Sequence, residues 1–402
     1  MTDPRDLSRR DFLAASAVSL IGLALRSEQI DGDLLYVGTY TAGTRSGGIY
    51  LLRMDRRTGN LQRIGSVDAG PNPSFLAIHP NRRVLYAVNE LEKGAVSAFA
   101  IAKDSGGLTR LNEQPSQGGA PCYVSVDRSG SVVLVANYGA GSIALLPVGA
   151  NGALDPAAQA VQHTGKGPNA ERQAAPHAHC ILTDPSNRFV LAADLGADRV
   201  FVYGLDLDGK SLRHVAGGDA VMRPGAGPRH VAFHPTLPLV FVANELDSTV
   251  ATLRFDAGRG ALSPLDTVST VPAGWGGTGT NYPADIHVAA NGRALYVSNR
   301  GHNSIAVLSV AEPTGALVLD QVVSTEGDWP RNFSLDPTGR WLLVANQRSD
   351  SVVVFGRDPD NGRLTSTRQR IAIPSPVCLR FLAPPRSDSQ RQGSPFITFG
   401  ND

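Results

Sequence analysis

The sequence predicts an all-β fold, a seven-bladed β-propeller with four antiparallel strands per blade, and three observations carry the prediction. Seven times a glycine is followed two or three residues later by leucine, at Leu61, Leu108, Leu154, Leu212, Leu262, Leu317 and Leu364. Their spacings of 46 to 58 residues match the length of a propeller blade. The stretches between them have strand texture, with short apolar runs punctuated by 43 glycines and 27 prolines. The two ends of the chain are complementary. Residues from Leu34 supply second, third and fourth strands without a first, and Pro376-Val-Cys-Leu-Arg-Phe is a first strand without partners. Pairing them closes the ring and leaves no exposed edge.

The chain of 402 residues opens on a targeting segment, residues 1–30. Ser8-Arg9-Arg10-Asp11-Phe12-Leu13 reads as a twin-arginine signal, and the apolar run Phe12–Leu25 is too short to span a bilayer. No cysteine follows the run, which argues against a lipid anchor. The expected location is periplasmic, cell-envelope or extracellular, without stable membrane insertion. The propeller is expected over residues 31–383. A Ser/Arg/Gln/Pro-rich tail over 384–402 is expected to be disordered.

Within the propeller each blade begins after a proline or alanine, at Pro73, Pro121, Ala178, Pro228, Pro283 and Pro330. The second strand ends on Asn89, Asn137, Asp194, Asn244, Asn299 and Asn346, and is followed by a third strand such as Ser142–Pro147. The Gly-x-Leu element opens the fourth. The recurrent Asn suits a turn in which its side chain bonds local backbone. Arg83, Arg188, Arg293 and Arg340, in the turns after the first strands, are expected to be solvated.

Charge is balanced, with 37 basic and 36 acidic residues. This argues against a nucleic-acid surface, which needs a basic excess. Cys122, Cys180 and Cys378 have no metal-ligand spacing and are expected as small buried residues. No metal or other cofactor is expected, because the few carboxylates that converge are matched by arginines.

The start of each first strand and the end of each second strand lie on one face of the ring. Two rings of positions therefore meet at one channel mouth. The first holds Ser74, Cys122, His179, Arg229, Ala284, Arg331 and Val377; the second holds Tyr40, Glu90, Tyr138, Leu195, Glu245, Arg300 and Gln347. His179, Arg229, Glu245, Arg300 and Arg331 break the repeat on four successive blades. The strand period raises a conflict. Strict alternation makes the second and fourth positions after the proline channel-lining, so the first ring turns inward only if the strand begins irregularly. Otherwise His230 and Asp285 are the inward-facing pair. His177 is a further candidate. The Gly-rich stretch Ala273–Pro283, with Trp275 and Tyr282, is expected as a rim or lid. The polar insertion His163–Arg172 is also placed to reach the mouth.

The stretches beginning Pro176-His-Ala-His, Gly227-Pro-Arg-His and Ala284-Asp-Ile-His, with the Asn-Glu and Ser-Asn-Arg-Gly-His segments, resemble the lactonase family of seven-bladed propellers. That family includes the propeller type of 6-phosphogluconolactonase and a carboxymuconate cyclase. The resemblance covers about Leu34 to Leu382. It implies a metal-independent hydrolysis of a sugar lactone or related cyclic ester, with its His, Arg, Glu and second Arg falling on His179, Arg229, Glu245 and Arg300. Arg331 is added from geometry. Ring opening needs a base for water and a donor for the oxyanion. Glu245 or His179 suits the first role and Arg229 the second, while Arg300, Arg331 and His177 suit substrate binding. The ligand expected is a lactone or an anionic sugar-like molecule. An export signal fits poorly with a phosphorylated sugar lactone. Three other readings stay open: an inter-blade ion-pair ring, an exported binding propeller without turnover, and a cyclase acting on a muconate-type diacid.

Overall fold

The structure, a computed structural model, describes residues 32–275 and 280–382. The expected targeting segment, the expected disordered tail and part of the Gly-rich stretch lie outside the described residues.

The described residues form seven antiparallel sheets, six of four strands and one of five. Each has the expected order, first strand innermost. The innermost strands touch one another in sequence all the way round the ring. Closure is as the chain ends imply. Gly32–Thr39 pairs antiparallel with Pro376–Phe381, with Val37 opposite Leu379 and Gly38 opposite Cys378.

Second and third strands are buried nearly throughout, as in Val84–Asn89, Val132–Asn137 and Leu239–Asn244. They read as continuous apolar runs because both faces of a blade pack against neighbours. One such interface joins Leu35, Val37, Leu52 and Leu379 to Leu343, Val352 and Val354 of the adjacent blade. Full burial of each such side chain is worth roughly 1.5–3 kcal/mol. Tyrosine hydroxyls tie blades together: Tyr36 donates to Gly106 O at 2.6 Å, Tyr86 to Gly152 O at 2.9 Å and Tyr296 to Gly362 O at 2.7 Å.

The Gly-x-Leu element is a hairpin turn whose glycine needs a left-handed backbone. Gly260 has φ +68°, and a Cβ there would meet the Phe189 ring of the preceding blade. The leucine that follows, Leu262, is buried between those blades. Two blades depart from the pattern. Leu154 makes only an isolated bridge to Val148, and the outer strand begins later, at Gln159. The blade of Leu212 splits its outer edge into Ser211–His214 and Ala220–Val221.

The recurrent Asn is structural, but its reach is longer than a local turn. Asn89 Nδ2 donates to Ala69 O and Pro71 O, and Asn137, Asn299 and Asn346 bond Ser116 O, Thr270 O and Thr325 O. Each fastens the second strand to the segment that leads into the first. Arg83, Arg188, Arg293 and Arg340 are exposed. The three cysteines are free and buried.

Candidate active site at the channel mouth

The conflict over which residues face the channel is resolved by a β-bulge. In six of the seven first strands the pairing register shifts just after the opening residue, between Pro121 and Tyr123, Ala178 and Cys180, Pro228 and His230, Pro283 and Ile286, Pro330 and Asn332, and opposite Gly38/Thr39 in the closing strand. A bulge leaves one residue out of the ladder and re-aims it. The residues left out include His179, Arg229 and Arg331. Two successive residues per strand therefore reach the channel at different depths.

At the mouth, three guanidinium groups converge on one carboxylate. Arg172 Nη2 donates to Glu245 Oε1 at 2.6 Å and Arg300 Nη2 to Glu245 Oε2 at 2.6 Å. Arg229 Nε lies 3.0 Å from Glu245 Oε2 as an ion pair, but not aligned as a hydrogen bond. Arg229, Glu245 and Arg300 are 2 %, 3 % and 5 % exposed. Burial alone would raise the Glu245 carboxyl; Arg300, Arg229 and Arg172 outweigh it and hold it at about 2. Burial and the repulsion of Arg300 and Arg331 bring the Arg229 guanidinium down to about 9.

Arg331 lies over the Tyr40 ring at 5.5 Å, and the Tyr40 hydroxyl donates to Glu90 Oε2 at 2.9 Å. Ser74 donates to the same oxygen. The mouth thus gathers Arg172, Arg229, Arg300 and Arg331 around Glu245 and Glu90. A purely structural ion-pair ring would match charges, because burying unmatched charge is costly. The surplus of guanidinium suits an anionic ligand or transition state.

Two histidines flank Tyr138. His177 stacks on its ring, centroids 4.5 Å apart, and His177 Nδ1 lies 2.9 Å from Tyr138 O. A carbonyl only accepts, so Nδ1 carries a proton, and in the neutral imidazole Nε2 then holds the lone pair. His177 is half-buried, and its backbone N–H donates to Asp194 Oδ1 at 2.7 Å. Asp194 stands where other blades have Asn. A carboxylate accepts from several donors, so this one also takes His163 Nδ1 at 2.7 Å. His179 meets Tyr138 edge-on at 5.4 Å, and its Nδ1 is 3.5 Å from Cys122 Sγ. Burial, then Arg229 and its neighbours, keep His179 well below the ordinary imidazole range.

Below the mouth the next seven residues close the channel: Phe75, Tyr123, Cys180, His230, Asp285, Asn332 and Cys378. Phe75 and Tyr123 lie 4.2 Å apart, His230 stands edge-on to Tyr123 at 5.1 Å, and His230 Nδ1 is 2.8 Å from Asp285 Oδ1. Asn332 Nδ2 donates to Asp285 Oδ2. Beneath this plug a cavity of about 330 Å³ includes His287 and Arg380 in its lining, but neither Arg229 nor Glu245.

All six candidate residues thus sit at the mouth. Glu245, Arg229 and Arg300 are in direct contact, while His177, His179 and Arg331 stand on the flanking blades. The pair His230–Asp285 forms the layer beneath. Arg172 was not singled out by residue, although the insertion that carries it was placed near the mouth. Its signal was a polar insertion ahead of the first strand of its blade. Tyr138, in the second ring, supports both histidines. From the Gly-rich stretch, Tyr282 lies under Arg300 at 5.8 Å and Arg172 at 5.6 Å, and Trp275 packs edge-on to His302 at 5.2 Å. Trp329 also lies under Arg300, at 5.5 Å.

Among the described residues no group of His, Cys, Asp or Glu is placed to hold a metal ion, and no helix is long and apolar enough to cross a membrane.

A closed seven-bladed ring with a buried, arginine-rich mouth defines a propeller whose channel opening suits an anionic ligand. The chain belongs to the family described as lactonase, 7-bladed β-propeller, whose model matches residues 34–381. It is 40% identical over 348 residues to a 6-phosphogluconolactonase of Bacillus subtilis, covering 86% of this chain and 97% of that one. A 6-phosphogluconolactonase of Formosa agariphila is 32% identical over 352 residues, covering 84% and 96%. Among solved structures, the periplasmic gluconolactonase of Pseudomonas aeruginosa is similar with a TM-score of 0.82 at 34% identity, covering 88% of this chain and 99% of that one. The protein is therefore a lactonase-family hydrolase.

Proposed function

We propose that the protein hydrolyses a sugar lactone without a phosphate group at the channel mouth. The observation that carries this reading is the convergence of Arg172, Arg229 and Arg300 on Glu245, beside a histidine of fixed tautomer. Opening a lactone builds negative charge on the carbonyl oxygen and then leaves a carboxylate. An excess of guanidinium over carboxylate stabilises both, and counts for most where water is excluded.

Arg229 is the oxyanion donor in this reading. Both protons of its Nη1 are taken, by Ala284 O and His230 Nε2, and its Nη2 has no hydrogen bond among the described residues. Arg300 and Arg331 hold the sugar and the nascent carboxylate. Glu245, at about 2, is a weak base, and its role is to order the guanidiniums. His177 presents an Nε2 lone pair and takes the proton from water; His179 lines the site as a neutral imidazole. The twin-arginine segment and the periplasmic relative favour an unphosphorylated substrate over the phosphorylated one that other relatives are named for.

The test uses protein beginning at residue 27, assayed against gluconolactone, 6-phosphogluconolactone and a set of simple lactones. Gluconolactone should turn over fastest above its spontaneous rate. Arg229→Ala and His177→Gln should each lower kcat/KM by ~10²–10³. Equal rates for wild type and both variants would remove the site assignment. A preference for 6-phosphogluconolactone would overturn the substrate, and no turnover of any lactone would leave a binding propeller.

A further inference from the structure

We propose that Asp285 and His230 are positioning residues that fix the Arg229 guanidinium from beneath the mouth. Asp285 sets the tautomer of His230, and His230 Nε2 then accepts a hydrogen bond from Arg229.

The argument is one of donors and acceptors. Arg229 Nη1 lies 3.1 Å from His230 Nε2. A guanidinium only donates, so Nε2 must carry the lone pair. His230 Nδ1 lies 2.8 Å from Asp285 Oδ1, and an ionised carboxylate only accepts, so Nδ1 must carry the proton. The two contacts are compatible only with a neutral Nδ1–H imidazole. Asp285 is held in turn by His287 Nε2 at 3.0 Å, by Ile286 N at 3.0 Å and by Asn332 Nδ2. His287, Asp285, His230 and Arg229 therefore form one chain from the cavity below the plug to the mouth.

Glu245 alone does not orient Arg229, because its contact with Nε is unaligned. The plane of the guanidinium is set at Nη1, by His230 and by Ala284 O. The bulge makes this possible: with Pro228 paired to Asn244 and His230 to Ala243, Arg229 is left out of the ladder and both side chains reach the channel. Burial, followed by Arg229, pushes the His230 imidazole down to about 3, so it stays neutral beside the guanidinium.

The consequence for catalysis rests on the lactonase reading above, so the test has an arm independent of turnover. Imidazole ¹⁵N shifts are measured in wild type and in Asp285→Asn. Wild-type His230 should be the Nδ1–H tautomer and should lose that preference in the variant. A wild-type Nε2–H tautomer would overturn the proposal whatever the enzyme does. In the kinetic arm, His230→Gln keeps an acceptor near the place of Nε2 and should stay within ~3-fold of wild-type kcat. His230→Leu has none and should lose ~10–100-fold in kcat with KM little changed, as expected for a misplaced catalytic group. In an Arg229→Ala background His230→Leu should cost nothing further. Equal loss in Gln and Leu, or full additivity with Arg229→Ala, would also overturn it. Absence of lactone turnover in wild type with the expected tautomer would instead count against the substrate while leaving the positioning pair intact.

Discussion

At the scale of residues, the site is an electrostatic device built on one buried carboxylate. Glu245 is held at about 2 against an ordinary 4.5. A depressed carboxyl adds stability above its unfolded value, and that stability is lost as pH falls through the folded one. The thermal midpoint should therefore fall as pH drops from about 4.5 towards 2. Glu245→Gln should be destabilised at neutral pH by ~3–5 kcal/mol, since it leaves guanidiniums buried without a counter-charge. The gap between variant and wild type should close near pH 2, and thermal melts across pH check both. An unchanged gap at every pH would show that Glu245 contributes shape rather than charge. His179, Arg229, Glu245, Arg300 and Arg331 were legible because each departs from its repeat. Arg172 was legible only as part of a segment, because an insertion has no repeat position to depart from. The tautomers of His177 and His230 were not legible at all, since each is set by an atom 39 or 55 residues away.

At the scale of elements, the first strand is where fold and site meet. Alternation predicted that the second and fourth residues after each proline face the channel, and His230, Asp285 and His287 do. The bulge adds the residue before them. No single residue type marks it, because the residues left out of the ladder are as different as Cys122, His179, Arg229 and Arg331. The Gly-x-Leu turn is the opposite case, since its glycine states its own conformation. Gly260→Ala should cost ~2–4 kcal/mol, from the left-handed backbone and the collision with Phe189. A urea midpoint would measure it, and a loss under ~0.5 kcal/mol, the size of an ordinary surface change, would mean that the turn relaxes. The effect should fall on stability, with kcat/KM of the folded fraction unchanged, because this turn lies on the outer side of the blade.

At the scale of the whole molecule, closure makes the seven blades cooperate. The strand Pro376–Phe381 completes the blade begun by Gly32–Thr39 and brings Arg380 to the cavity below the plug. Ending the chain after Ile373 would leave Gly32–Thr39 as an unpaired edge. It should yield aggregated or higher-order species in size-exclusion chromatography, because an open edge pairs with another copy. A soluble, cooperatively melting monomer would refute the need for closure. The sequence by itself determined the number of blades, the strand order, the closing pair and the face on which the candidate residues gather. These follow from periodicity and from the demand that every strand edge be paired, both of which are properties of the chain read in order. Only the tertiary structure decided that two successive residues of a strand can both face the channel, that three arginines share one glutamate, and which histidine nitrogen carries a proton. Those outcomes depend on donors and acceptors brought together from separate blades, and no local pattern in the chain records which of them will meet.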